Sequence, residues 1–153
     1  MATEYSERVV ADPAKWAIGA ALLAAPLLLA LGLWLGFIER IPYGGWTALL
    51  LLQLLVLYPV AEEVLFRGVL QAKLAEFTWG QVSVLGVSFA NLVASILFAV
   101  THIVLLGTLA AGLTLLPSLV FGHLFQVCRS LWPPILMHSW YNFLALWWVV
   151  SAS

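Results

Sequence analysis

Long runs of apolar residues are the feature that most constrains how this chain can fold. A helix needs about 20 apolar residues to cross the hydrocarbon core of a bilayer. Five runs of roughly that length follow one another with short connections between them, at residues 16–38, 45–72, 82–106, 108–128 and 132–151. The sequence therefore predicts an all-α, polytopic transmembrane helix bundle of about five spans, with four and six as the limits.

The composition agrees with a membrane-embedded chain and excludes nucleic acid as a partner. Charged residues make up 8% of the 153 residues and hydrophobic residues 64%, whereas a soluble domain carries about 25% charged residues. The six Lys and Arg residues form no cluster, and nucleic-acid binding requires one. The expected surroundings are the lipid bilayer, and the sequence makes no prediction about the oligomeric state.

Basic residues are distributed unevenly between the two ends of the predicted spans. If the N-terminus lies in the cytoplasm, only Arg40 falls on the outer side. The residues then on the inner side are Arg8, Lys15, Lys73 and Arg129. Because basic loops stay preferentially in the cytoplasm, we predict a cytoplasmic N-terminal segment over residues 1–15. Without repeats or linkers, residues 1–153 are predicted to form one integral membrane domain.

Two glutamates and an arginine interrupt the second apolar run. Ionisable residues inside a membrane are expensive and usually face the bundle interior, where they indicate a functional site. Glu63 and Arg67 are four residues apart with the acid first, which is the favourable order for an ion pair on a helix. Glu62 projects about 100° away from Glu63 and has no basic partner at helical spacing. It therefore needs a partner from another helix.

The later runs supply polar side chains that can meet Glu62. His138 and Asn142 are four residues apart and share one helix face, and His102 follows Phe98 by one turn. A carboxylate and an imidazole can together hold and deprotonate a water molecule. A histidine and an asparagine can donate hydrogen bonds to an oxygen that becomes negative. These are the groups that a peptide hydrolase needs.

Other interpretations of the same residues stay open. His123 is interpreted as a hydrogen-bonded structural residue, and Asn142 can equally bond across helices, as amides often do in membranes. A transporter or proton relay also uses intramembrane Glu and His, but internal repeats or paired broken helices are typical of transporters, and we find no repeat. A non-catalytic membrane scaffold that binds a peptide is the third alternative.

Three motifs, in order along the apolar runs, resemble the signature of the CPBP family. EEVLFR at 62–67 resembles E-E-x-x-x-R, FAVTH at 98–102 resembles F-x-x-x-H, and HSWYN at 138–142 resembles H-x-x-x-N. These proteins are the CAAX-processing and bacteriocin-processing proteases, also called Abi or glutamic-type intramembrane endopeptidases. The resemblance covers about residues 58–142, which we take as the catalytic motif region.

The resemblance implies two pairs of catalytic residues. Glu62 and His102 would activate the water, while His138 and Asn142 would stabilise the tetrahedral oxyanion. The residues implied to support them are Glu63, Arg67 and Phe98. The family pattern implies hydrolysis of a peptide bond by a glutamate-activated water, without a cofactor.

A zinc-dependent version of the same hydrolysis is an alternative to the cofactor-free mechanism. Its ligands would be Glu62, His102 and His138, since catalytic zinc commonly takes about three protein ligands from His and Glu. The H-E-x-x-H motif that often provides such ligands is absent from the sequence.

The resemblance implies a membrane-anchored protein or peptide as the substrate. Three kinds are known in the family: prenylated CAAX proteins, leader peptides of bacteriocin-like products, and C-terminal sorting tails of exported proteins. The chain is shorter than CAAX-processing relatives usually are and is similar in length to short bacterial members. We therefore predict an enzyme of a prokaryotic inner or plasma membrane that trims a tail or leader, with a CAAX-type prenyl-protein endopeptidase as the alternative.

One predicted boundary conflicts with this site. If the third span begins at Val82, His102 lies about 30 Å along it, near the outer face. His138 lies only about 9 Å from the inner end of the last span, so the two histidines could not meet. We therefore expect residues 80–91 to lie in the membrane interface and the span itself to begin near Leu92, with broken and tilted helices as the alternative.

Overall fold

The computed structural model describes residues 13–36 and 47–150, with side chains described as far as Leu146. Its helices are α1 (Pro13–Trp34), α2 (Ala48–Leu74), α3 (Thr78–Gln81), α4 (Phe89–Leu106), α5 (Leu109–Cys128) and α6 (Trp132–Val150). The two strands, β1 (Ser83–Val84) and β2 (Val87–Ser88), form an antiparallel hairpin. The prediction of an all-α helix bundle is confirmed.

The number of long helices agrees with the predicted number of spans. Helices α1, α2, α4 and α5 are each long and apolar enough to cross a membrane, and α6 adds a fifth helix of 19 residues. The predicted cytoplasmic segment, residues 1–15, lies outside the described residues except for its last three, which begin α1. The connection between the first two spans also lies outside them.

The predicted start of the third span at Val82 was wrong. Residues before Phe89 form α3 and the hairpin, because Leu85 and Gly86 adopt left-handed backbone angles, with φ of 52° and 81°, that turn the chain. The Ser88 hydroxyl then accepts a hydrogen bond from the Asn91 amide at 3.1 Å and caps α4. The start at Phe89, three residues before the expected Leu92, shortens the distance along α4 to His102 and removes the conflict between the two histidines.

The helices place apolar side chains outward and polar side chains inward. Helix α1 packs against α5 and α6, α4 packs against α5 and the second half of α2, and α6 packs against the first half of α2. Large apolar residues such as Leu23 and Trp34 are 69% and 81% exposed, whereas Arg67 and Asn91 are 0% exposed. This inversion of the usual pattern is what a lipid environment requires.

A ladder of polar contacts joins α2 to α5. Arg67 donates to the Ser118 hydroxyl at 2.7 Å and to the Ser118 carbonyl at 3.1 Å. One turn later, the Gln71 amide donates to the Gly122 carbonyl at 2.9 Å. The two rungs advance together along both helices, so α2 and α5 run parallel here.

Gly122 lets α2 and α4 approach α5 closely, and we expect Gly122→Ala to destabilise the protein. A Cβ at this position would overlap the Asn91 side-chain oxygen and lie 2.8 Å from the Gln71 side-chain oxygen. Overpacking of a well-packed interior costs about 1–3 kcal/mol. Unfolding in mixed micelles should show this loss. Gly19→Ala is the matched control, since a Cβ at Gly19 meets nothing within 4 Å; an equal loss in both variants would contradict the prediction.

Candidate functional site

Glu62 and Glu63 lie where the geometry of α2 changes twice. They end an α-helical stretch, Tyr58–Glu63, that stands between two π-helical segments, Gln53–Leu57 and Val64–Gln71. π-helical turns are rare and occur frequently at functional sites. The altered winding sets the directions in which the two glutamates project from the helix.

Glu63 uses one carboxylate oxygen to contact α6 and the other to bind Arg67 on its own helix. Its Oε2 accepts from Arg67 Nε at 2.9 Å, with both side chains 0% exposed, so the pairing predicted from their spacing is observed. Its Oε1 accepts from His138 Nδ1, also at 2.9 Å. Since Arg67 also bonds to Ser118, this carboxylate holds α2, α5 and α6 in register.

His138 stands between the two glutamates. Its Nδ1 carries a proton and donates a hydrogen bond to Glu63, because a carboxylate can only accept. Its Nε2 lies 3.7 Å from Glu62 Oε2. The ring of Phe121 stacks on the imidazole with centroids 4.9 Å apart. The Glu62 side chain is 29% exposed, whereas that of His138 is 7% exposed. Glu62, which had no partner on its own helix, thus meets His138 from α6.

His102 approaches the same cluster from α4. Its Nδ1 bonds to the Phe98 carbonyl at 3.0 Å, and a carbonyl oxygen can only accept. In the neutral ring, the proton therefore lies on Nδ1 and the Nε2 lone pair is unprotonated. His102 interacts electrostatically with Glu62. The Phe98 ring contacts both imidazoles, with its centroid 4.3 Å from that of His102 and 5.9 Å from that of His138.

Asn142 takes a different partner from the other site residues. Its Nδ2 donates to the Leu54 carbonyl of α2 at 2.9 Å, which is the cross-helix bond that the sequence left open as an alternative. Asn142 also lines an apolar cavity of about 320 Å³ between α1, α5 and α6. The structure thus brings Glu62, Glu63, Arg67 and His138 into direct contact, with His102 joined to His138 through the Phe98 ring and Asn142 one turn along α6 from His138.

Sequence reasoning missed several residues that shape the site. Phe121 stacks on His138, and Ser118 holds Arg67. Gln71 continues the Glu63 and Arg67 face at four-residue spacing, as Gly122 does for Ser118, so the helical periodicity of α2 and α5 offered a signal for this ladder. No local pattern indicated Phe121. The interpretation of His123 as structural agrees with its bond to the Gly86 carbonyl, 2.9 Å from Nδ1.

The residues present do not form a ready metal site. Among the described residues, no group of three or more His, Cys, Asp and Glu side chains is arranged to hold a metal ion. The zinc alternative, with Glu62, His102 and His138 as ligands, is therefore a poor fit to this arrangement, and we derive no step through a metal.

The arrangement provides one carboxylate base and two imidazoles within one membrane-embedded cluster. Glu62 is a partly exposed carboxylate without a hydrogen bond to another described side chain. It can accept a proton from water, and the lone pair on His102 can share that water. When both of its ring nitrogens are protonated, His138 can donate through Nδ1 to Glu63 and through Nε2 to a substrate oxygen. These are functions in peptide-bond hydrolysis.

Comparison with known proteins gives one match. The family model described as Type II CAAX prenyl endopeptidase Rce1-like matches residues 44–144, a range that contains all seven residues singled out from the three motifs. No protein with a curated description and no solved structure matches significantly. Because the match covers more than half of the chain, this protein belongs to the Rce1-like family of type II CAAX prenyl endopeptidases and is, by family, a membrane-embedded endopeptidase.

Proposed function

We propose that this protein hydrolyses a peptide bond in a membrane-anchored protein or peptide, with Glu62 as the general base for the attacking water. The observation that carries the proposal is the difference between the two adjacent glutamates. Glu63 uses both oxygens, on Arg67 and His138, whereas Glu62 is partly exposed and lies 3.7 Å from the nearest imidazole nitrogen. Of these two glutamates, Glu62 is the one whose carboxylate is free to take a proton.

His102 is the second residue of the water site. Its Nδ1 proton is held by the Phe98 carbonyl, and stacking on the Phe98 ring fixes the plane of the imidazole. Its Nε2 lone pair is therefore available to accept from the same water that Glu62 deprotonates. A positioned base of this kind typically accelerates a reaction about 10²- to 10⁴-fold.

His138 and Asn142 supply the donors for the oxyanion. In its doubly protonated form His138 donates to Glu63 through Nδ1 and offers Nε2–H to the substrate oxygen. The charges of the two glutamates then balance those of Arg67 and His138, so that the buried cluster carries no net charge. Asn142 has a second amide hydrogen beyond the one bound to Leu54. Donors aimed at a developing negative charge commonly provide the largest catalytic effect.

The substrate is a segment that enters the bilayer. The cavity beside Asn142 is lined mainly by aliphatic side chains, which suits apolar residues of a membrane-embedded tail or leader. We propose such a tail or leader as the substrate, in a prokaryotic inner or plasma membrane with the N-terminus in the cytoplasm. A prenylated CAAX protein is the second candidate, since the description of the matching family model names that activity.

Cleavage assays in proteoliposomes test this function. The purified chain is given three fluorescent substrates, a sorting tail, a leader peptide and a prenylated CAAX peptide, each with and without a zinc chelator. We expect cleavage of the tail or leader, unaffected by the chelator. Cleavage of the CAAX peptide alone would instead establish the second candidate, and loss of cleavage with the chelator would establish a metal requirement.

His102→Ala tests the proposed water site. We expect it to lower kcat by at least about 10²-fold, because the water loses the acceptor that orients it. His123→Ala is the matched control, since it removes another intramembrane imidazole, whose hydrogen bond among the described residues is to the Gly86 carbonyl of the hairpin. Equal activity of the His102 variant and the wild type would remove His102 from the mechanism.

A further inference from the structure

The hydrogen-bond ladder of α2 is broken just before the two glutamates. The Tyr58 amide bonds to the Gln53 carbonyl, five residues back, within the π-helical segment. In that register the next amide, at residue 59, would bond to the Leu54 carbonyl, but Pro59 has no N–H. The Leu54 carbonyl therefore receives a backbone hydrogen bond neither from Tyr58 nor from Pro59.

The Asn142 side chain supplies the missing donor. Its Nδ2 lies 2.9 Å from the Leu54 oxygen, across 88 residues of sequence. In the hydrocarbon core no water is available to donate to a backbone carbonyl, so a hydrogen bond from a side chain is strongly favoured. Within the described ranges, this is the one hydrogen bond of the Asn142 side chain. One amide hydrogen is thereby fixed, and the second points away from Leu54.

We propose that Pro59 is a positioning residue that acts through Asn142. By withholding its N–H, it leaves the Leu54 carbonyl as an anchor that orients the Asn142 amide. The second Nδ2 hydrogen is then directed toward the substrate oxygen before the substrate arrives. This inference rests on the proposed function, in which Asn142 is an oxyanion donor, and it assigns a role to a residue with no reactive group.

The chemistry of the anchor explains why a free carbonyl is useful here. An unrestrained asparagine side chain samples several rotamers, and a donor that must reorient during the reaction loses part of its electrostatic advantage. Restoring an N–H at residue 59 would let the backbone compete for the Leu54 oxygen. Asn142 would then be released, although no catalytic atom had been removed.

Pro59→Ala tests the proposal in the cleavage assay. We expect kcat to fall about tenfold, with KM changed less than about twofold, because a donor is misplaced in the transition state. Pro26→Ala, which removes the proline inside α1, is the matched control and should cleave like the wild type. An unchanged kcat for the Pro59 variant would overturn the proposal.

A double-mutant cycle separates anchoring from a general distortion of α2. If Pro59 acts through Asn142, Pro59→Ala should cause no further loss in an Asn142→Ala background. If the substitution instead straightens the helix and moves Glu62, the loss should appear in both backgrounds. The second result would contradict the proposal even if the single variant is slow.

A measurement independent of activity follows the amide itself. The chain has two asparagines, Asn91 and Asn142, so ¹⁵N-asparagine labelling gives two pairs of side-chain amide signals, and the pair lost in Asn142→Asp belongs to Asn142. In Pro59→Ala we expect the Asn142 protons to shift upfield and exchange faster, while the Asn91 signals stay in place. Unchanged Asn142 signals would refute the anchor. If the wild type cleaves no substrate, the proposed function and the catalytic use of the anchor both fail, whereas these signals still decide whether the anchor exists.

Discussion

Glu62→Gln is expected to abolish cleavage, with a loss of at least about 10³-fold in kcat/KM. Glutamine keeps the volume and an oxygen acceptor but cannot take a proton from water. The substitution should leave the fold intact, because the Glu62 side chain is 29% exposed and lies 3.7 Å from its nearest partner nitrogen. Proteoliposome cleavage and thermal unfolding in detergent, measured on the same preparations, check both parts of the expectation.

Two control variants test whether the loss of cleavage is specific to a base at position 62. Glu76→Gln makes the same chemical change at an exposed glutamate, paired with Lys73 outside the site, and should cleave like the wild type. Glu62→Asp keeps a base but moves it by one methylene, and should retain a measurable fraction of the activity. Normal cleavage by Glu62→Gln would show that another group accepts the proton and would end the proposed mechanism.

Arg67→Met is expected to cause the largest loss of stability, about 3–5 kcal/mol in the free energy of unfolding. Arg67 is fully buried and donates to Glu63 Oε2, the Ser118 carbonyl and the Ser118 hydroxyl. Methionine preserves much of the volume but leaves a buried carboxylate without its compensating charge. Unfolding in mixed micelles with increasing denaturing detergent gives the free-energy difference.

The double variant Glu63→Gln/Arg67→Met shows whether the loss of stability comes from the unpaired charge or from lost packing. Removing both charges together should recover a large part of the loss, because the cost comes from the unpaired carboxylate more than from the lost contact. Lys73→Met breaks an ion pair whose side chains are 68% and 63% exposed and should cost less than about 1 kcal/mol. A loss in the double variant equal to that in Arg67→Met would show that packing, and not charge, governs this position.

The local parts of the site could be predicted from the sequence, whereas contacts between distant helices could not. Glu63 and Arg67 are one helical turn apart, so their pairing follows from helix geometry, and the same geometry left Glu62 without a partner. Glu63 and His138 are 75 residues apart, and no periodicity indicates which glutamate meets the imidazole. The motif resemblance placed His138 in the oxyanion site without indicating that Glu63 would hold its other nitrogen.

The helix boundaries show the same division. The break at Gly107 was visible as a short connection, and this glycine does cap α4 with a left-handed φ of 67°. The start of α4 at Phe89 depends on the hairpin and on the Ser88 cap. Hydropathy indicates neither the hairpin nor the cap, since the residues from Val82 to Phe89 are nearly as apolar as the helix that follows.

By itself the sequence determined that the chain is a membrane-embedded helix bundle with a cluster of ionisable residues, because apolar length and helical spacing are local properties. The tertiary structure alone decided how that cluster is connected. It put Glu63 between Arg67 and His138 and left Glu62 partly free, and it set Asn142 against a carbonyl that Pro59 leaves without a donor. Those contacts depend on the relative positions of α2, α4, α5 and α6, which are set by the packing of whole helices against one another.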